Sequence, residues 1–122
     1  MSLCLLLDGA KIVYATSAFT LGWTHSVEKT RWEEDWRVTP NGLEILEARI
    51  EGSGAGMEVP NGARFDGRYW RYHPDLAPQP SLVLARSGMT AGDWQICFAG
   101  SCRDLPETPG SAQSPAVLSA CP

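Results

Sequence analysis

The sequence predicts an all-β protein, an antiparallel β-sandwich or partly open β-barrel of about nine short strands. Three observations lead there. Asp8-Gly9, Asn41-Gly42, Asn61-Gly62 and Asp66-Gly67 punctuate the chain, and Asn or Asp before Gly tolerates the positive φ of tight hairpins. Between these turns apolar and polar residues alternate with period two, the mark of a half-buried strand. No segment carries a helical period of useful length, and there is no internal repeat.

Taken in order, residues 4 to 7 and 10 to 15 predict a hairpin around Asp8-Gly9. Residues 19 to 38 (FTLGWTHSVEKTRWEEDWRV) predict the central hairpin, with three of the five tryptophans. Leu43, Ile45, Glu47 and Arg49 continue on one face of the next strand. The glycine-rich GSGAGM then reads as a bulged turn. It is a poor phosphate loop, because Met57-Glu58-Val59-Pro60 follows where a Lys-Ser/Thr pair and a helix belong. RYWRYH is a strand with Tyr69 and Arg71 on one side and Trp70 and Tyr72 on the other. PDLAPQP reads as a stiff crossover between sheets. Leu82 to Arg86 and Trp94 to Phe98 alternate as half-buried strands. The expected division is a single β domain over 1–105 and a Pro/Ser/Gly-rich tail over 106–122, loose unless Cys121 ties it down.

In the central hairpin, parity puts Phe19, Leu21, Trp23 and His25 on one face and Trp32, Glu34, Trp36 and Val38 on the matching face. A turn centred on Glu28-Lys29 sets Phe19 opposite Val38, Leu21 opposite Trp36, Trp23 opposite Glu34 and His25 opposite Trp32. A one-residue slip would bury Asp35 and Arg37. After Pro40-Asn41-Gly42, a two-residue turn sets Glu34 across from Arg49. A looser one sets it across from Glu47. In either register the inner face is apolar at one end. At the other it collects His25, Glu34, Glu47 and Arg49 between Trp23 and Trp32.

Four readings of that cluster stand side by side. It is a structural ion network closing the sandwich, a pocket for a small molecule or peptide, a metal site of His25 with carboxylates, or an acid–base pair of Glu34 and Glu47. His25 and Ser26 are adjacent in a strand and point to opposite faces, so they are no nucleophile–base pair. Nothing in the chain calls for a cofactor.

The 122 residues suffice for one core. A net charge of −4 with no run of Lys or Arg argues against nucleic acid, and no stretch approaches the ~20 apolar residues that span a bilayer. The start MSLCLLLDGAKIV lacks a basic leader, which favours the cytoplasm. The four cysteines favour an oxidising compartment instead. Cys97 and Cys102 flank the turn Phe98-Ala99-Gly100-Ser101 and fall opposite each other at disulfide distance. Cys4 and Cys121 form a second candidate bridge joining the two ends. A zinc site made from the four is the alternative.

The run WTHSVEKTRWEEDW, followed by GLEILEARIEGSGAGM, resembles a bacterial family of unknown function encoded beside TAXI-type TRAP transporters. The shared features are a Tyr/Trp-Thr-His-Ser-Val-Glu run, here Trp23 to Glu28, a Glu-containing strand, here Glu34, and a Gly-Ala-Gly loop, here Gly54 to Gly56. RYWRYHPDLAPQPSLVLARSG and the Cys97/Cys102 hairpin extend the similarity over nearly the whole chain. The resemblance brings Ser26, Glu28, Gly54 and Gly56 to the candidate ligand site beside Trp23, His25, Trp32, Glu34, Glu47 and Arg49. It implies an accessory or binding module, carries over no established activity, and suggests a place at the periplasm or cell envelope. Its implied partners are TRAP transporter components or a small-molecule carboxylate, from a transporter for small organic acids or amino acids.

Overall fold

Eleven strands in two antiparallel sheets make up the computed structural model, which describes residues 1–7, 9–24, 30–52, 61–84, 94–105 and 115–122. They are β1 (Ser2–Leu7), β2 (Ala10–Tyr14), β3 (Ala18–Thr24), β4 (Arg31–Thr39), β5 (Gly42–Glu51), β6 (Arg64–Phe65), β7 (Tyr69–Tyr72), β8 (Ser81–Leu84), β9 (Gln95–Phe98), β10 (Ser101–Asp104) and β11 (Ala116–Cys121). One sheet runs β2-β1-β11-β8. The other runs β10-β9-β3-β4-β5-β7-β6. Neither closes into a barrel, so of the two expected architectures the sandwich is the one formed.

The sheets bury one face each. Leu3, Leu5 and Leu7 of β1 and Ala116 and Leu118 of β11 meet Phe19, Leu21, Trp36, Val38, Leu43 and Ile45 from the larger sheet in one core. A fully buried leucine contributes about 2 kcal/mol of apolar transfer, so these two inner faces dominate the stability. PDLAPQP carries the chain from the larger sheet to the smaller. Gln79 fastens it on the way, exchanging backbone hydrogen bonds of 2.7 and 2.8 Å with Leu43. Gly42 is required there: its φ is +120°, and a Cβ would strike the carbonyl oxygen of Gln79.

Residues 116 to 121, read from the sequence as part of a tail, form β11, which lies between β1 and β8. Ala116 and Leu118 are fully buried. A bond from Cys121 to Cys4, with Cα atoms 5.9 Å apart, ties this strand to β1. Cys97 and Cys102 also form a disulfide, across the β9–β10 hairpin. All four sulfurs are thus paired, which removes the zinc reading.

Two registers differ from expectation. In the β3–β4 hairpin Phe19 faces Trp36, Leu21 faces Glu34 and Trp23 faces Trp32. The faces are as expected, but the pairing has moved by two residues; the turn itself lies outside the described residues. Between β4 and β5 neither expected register survives along the whole ladder. Val38 faces Leu43 and Trp36 faces Ile45, but beyond a bulge Asp35 faces Glu47, Glu34 faces Ala48 and Trp32 faces Ile50. Leu46 is the extra residue, and it is exposed. A one-residue insertion turns every later side chain of β5 over. Ala48 and Ile50 go into the interior, while Glu47 and Arg49 go outside.

Candidate functional site

The bulge at Leu46 divides the expected cluster between the two faces of the larger sheet. Glu34 stays inside. Glu47 and Arg49 join Glu33 and Asp35 on the outer face, so the predicted convergence of Glu34, Glu47 and Arg49 does not occur. The Glu34/Glu47 acid–base pair falls with it, because a sheet lies between the two carboxylates. His25, Ser26, Glu28, Gly54 and Gly56 lie outside the described residues. Among the described residues no group of three or more His, Cys, Asp or Glu is arranged to hold a metal ion.

The outer face is a lattice of ion pairs. Arg49 is bidentate to Asp35, Nη1 to Oδ2 at 2.8 Å and Nη2 to Oδ1 at 3.1 Å, and its Nε donates to Glu33 Oε1 at 2.8 Å. Arg31 Nε donates to the second oxygen of Glu33 at 3.2 Å. Thr20 Oγ1 donates to Asp35 Oδ1 at 2.7 Å. On the other flank Arg71 joins Glu47 (2.5 Å) to Asp66 (2.6 Å). Gly22 gives Arg31 its place: a Cβ there would clash with the guanidinium. Burial by itself would raise the Asp35 pKa, yet the hydrogen bonds from Arg49 and Thr20 and the charge of Arg49 hold it below the usual carboxylate value. Burial likewise works against the Arg49 charge, and the bonds to Asp35 and Glu33 outweigh it. Arg49, with its side chain 13% exposed and its fork filled, has no bidentate face left for a ligand carboxylate.

The inner face is different. Pairing across β3, β4, β5 and β7 sets Leu21, Glu34, Ala48 and Tyr72 in one row. The next row is Trp23, Trp32, Ile50 and Trp70, and Phe65 of β6 extends it. Trp23 stacks on Trp32 at 5.9 Å and meets Trp94 at 4.8 Å. Trp70 packs on Phe65 at 5.0 Å. Glu34 Oε1 accepts from Trp36 Nε1 at 3.1 Å. No arginine compensates Glu34, and burial raises its pKa, with the Trp36 bond pulling the other way. Burial, and then the Glu34 charge, raises the Tyr72 phenol.

Two polar atoms in this aromatic row have no partner. The indole Nε1 atoms of Trp32 and Trp70 are buried and make no hydrogen bond. Leaving a buried donor unmade costs roughly 1–3 kcal/mol. An indole donates only, so nothing but an acceptor relieves it. The site therefore has a carboxyl group poorly disposed to ionise, two unmet donors and several aromatic surfaces, which suits binding. Among the described residues it holds no nucleophile with a base beside it.

Trp23, Trp32 and Glu34 were legible from strand parity. Trp70, Tyr72 and Trp94 were not assigned to the site, although the alternation of RYWRYH already placed Trp70 and Tyr72 on one face. The missing information was that β7 pairs with β5. For the bulge the sequence does carry a signal. Charged residues fall at Glu44, then Glu47, Arg49 and Glu51, and the three-residue step brackets the apolar doublet Ile45-Leu46.

No curated protein and no solved structure matches this chain. A family model, described as a domain of unknown function (DUF1850), matches residues 19–105. The match covers the seven-stranded sheet but for Ala18, together with β8, and leaves β1, β2 and β11 outside it. With the greater part of its length matched, including both faces of the sheet just described, the chain belongs to the DUF1850 family.

Proposed function

We propose that the chain is a non-catalytic binding module that assists a TAXI-type TRAP transporter of small organic acids or amino acids, and that it binds through the tryptophan end of its inner face. The observation that carries binding is the pair of buried, unmatched indole donors, Trp32 and Trp70, in one row beside Glu34. Donors held unmet in a folded protein suit a ligand that brings acceptors, such as a carboxylate or a peptide carbonyl. The transporter as partner rests on the resemblance of Trp23 to Glu28 and the strands after it. Two disulfides support a place in an oxidising compartment such as the periplasm.

A thermal-shift series with dicarboxylates and amino acids at millimolar concentration tests this. The expected result is stabilisation by at least one of them, lost in Trp32→Phe and Trp70→Phe. Without ligand those variants should be no less stable than the parent by more than ~1 kcal/mol, since each loses an unmet donor along with some packing. In cells the same variants should fail to restore uptake in a strain deleted for this gene. Unchanged ligand shifts in both variants would sink the assignment.

The outer face favours a second role for other residues of the expected cluster. Arg49 and Glu47 are saturated by their neighbours and act as a register-fixing network across β4, β5 and β7.

A further inference from the structure

The bulge at Leu46 does more than turn Arg49 outward. It leaves the Leu46 carbonyl for His73, whose Nδ1 lies 2.6 Å from the oxygen. A carbonyl only accepts, so Nδ1 carries the proton in this bond, and the tautomer that the bond selects leaves Nε2 as an acceptor. Beside this pair is an open depression of about 340 Å³, lined by Leu46, Glu47, Arg64, Arg71, Tyr72 and His73 among others. That volume is at the small end of small-molecule sites.

The groups around the depression differ in how far they are engaged. Arg71 is held by Glu47 and Asp66 but is still 42% exposed. Arg64, on the edge strand β6, has no side-chain hydrogen bond or ion pair among the described residues. Each of Arg31, Arg37, Arg49, Arg68 and Arg71 has a carboxylate partner. Leu46, 39% exposed, supplies apolar wall. The depression thus offers a free guanidinium, a half-exposed one, an imidazole acceptor and a greasy flank.

The geometry points to a second binding site here, for a small carboxylic acid bearing a hydrogen-bond donor next to the carboxylate, that is, a 2-hydroxy or 2-amino acid. The carboxylate pairs with Arg64 and the open side of Arg71. The neighbouring hydroxyl or ammonium donates to His73 Nε2, and Glu47 adds attraction for an ammonium. The carbon chain lies on Leu46. This site is on the opposite face of the sheet from the tryptophan row and does not depend on it.

Lactate, alanine and propionate distinguish the elements of the proposal, because propionate keeps the carboxylate and chain but has no donor. Titrations of the full chain, followed by NMR shifts of Arg64 and His73, should show lactate or alanine binding more tightly than propionate. Arg64→Ala should weaken that binding roughly tenfold or more. The unpaired, exposed Arg64 makes this variant safe for folding. His73→Ala should erase the preference over propionate. Trp32→Phe should change neither result, which separates this site from the tryptophan site. Binding that survives Arg64→Ala, equal affinity for the three acids, or no shift at any concentration up to tens of millimolar would each overturn the proposal.

Discussion

The outward faces of the two sheets are held by different physics. On the larger sheet the outer face carries a charged lattice over its central strands, with Arg31, Glu33, Asp35, Glu47, Arg49 and Arg71 joined from strand to strand. On the smaller sheet the outer face carries Leu6, Val13 and Val83, which are 43, 55 and 66% exposed, together with the Cys4–Cys121 bond. Lys11 is the one charged side chain of its strands. Directional ion pairs fix register in the first case. A covalent tie between the first and last strands serves in the second. The difference teaches that one domain answers to acid and salt on one side and to reductant on the other.

Removing the tie should have the largest effect. Cys4 and Cys121 are separated by 117 residues, so breaking their bond frees a large loop, about 5 kcal/mol on the chain-entropy account. Cys97 and Cys102, separated by 5, should yield about 2 kcal/mol. Urea unfolding of the two double-alanine variants measures both. Equal losses would mean that the long tie does not secure the smaller sheet.

Next in size is Arg49→Ala, which strands Asp35 and Glu33 half-buried beside each other. A loss of about 3 kcal/mol is expected, against less than 1 kcal/mol if the lattice is decorative. Its dependence on pH can be read separately. The Asp35 pKa is lowered in the folded state, so its contribution is present above the ordinary aspartate value and disappears as pH falls through the folded one. Asp35→Asn should therefore cost stability at pH 7 and very little near pH 2.

Glu34 has the opposite sign. Its folded pKa is raised, so its favourable contribution is complete below the ordinary glutamate value and is lost as pH rises through the folded one. Glu34→Gln keeps an oxygen for Trp36 and should gain at most about 1 kcal/mol at pH 8, after screening at this part-exposed site, and nothing at pH 4. A midpoint that drops at pH 8 would show the inner carboxylate to be compensated after all. The smallest change should come from Arg37→Ala. Its pair with Glu44 is in water, 52 and 36% exposed, and is expected to contribute under 0.5 kcal/mol.

Much of this was legible beforehand because period-two patterning is local. Strand existence, the β3 and β4 faces, the inward Glu34 and the Cys97–Cys102 pair all follow from neighbours in sequence or from turn chemistry. What was not legible depends on pairing between distant strands. The two-residue shift of β3 on β4 preserves parity, so hydrophobicity alone could not expose it. The bulge breaks parity, and a strictly alternating reading of Leu43 to Arg49 carried Glu47 and Arg49 to the wrong face. Of the expected site, the aromatic and Glu34 part is where parity put it. The Arg49 part became the lattice outside.

One sheet also imposes an order of events. Within their sheet Leu3 and Leu5 pair with β2 on one side and with Ala120 and Leu118 on the other, so during synthesis β1 waits for a strand partner more than a hundred positions downstream to leave the ribosome. Such distant contacts slow folding. A chain that cannot finish one of its layers early keeps that layer open until its last strand arrives.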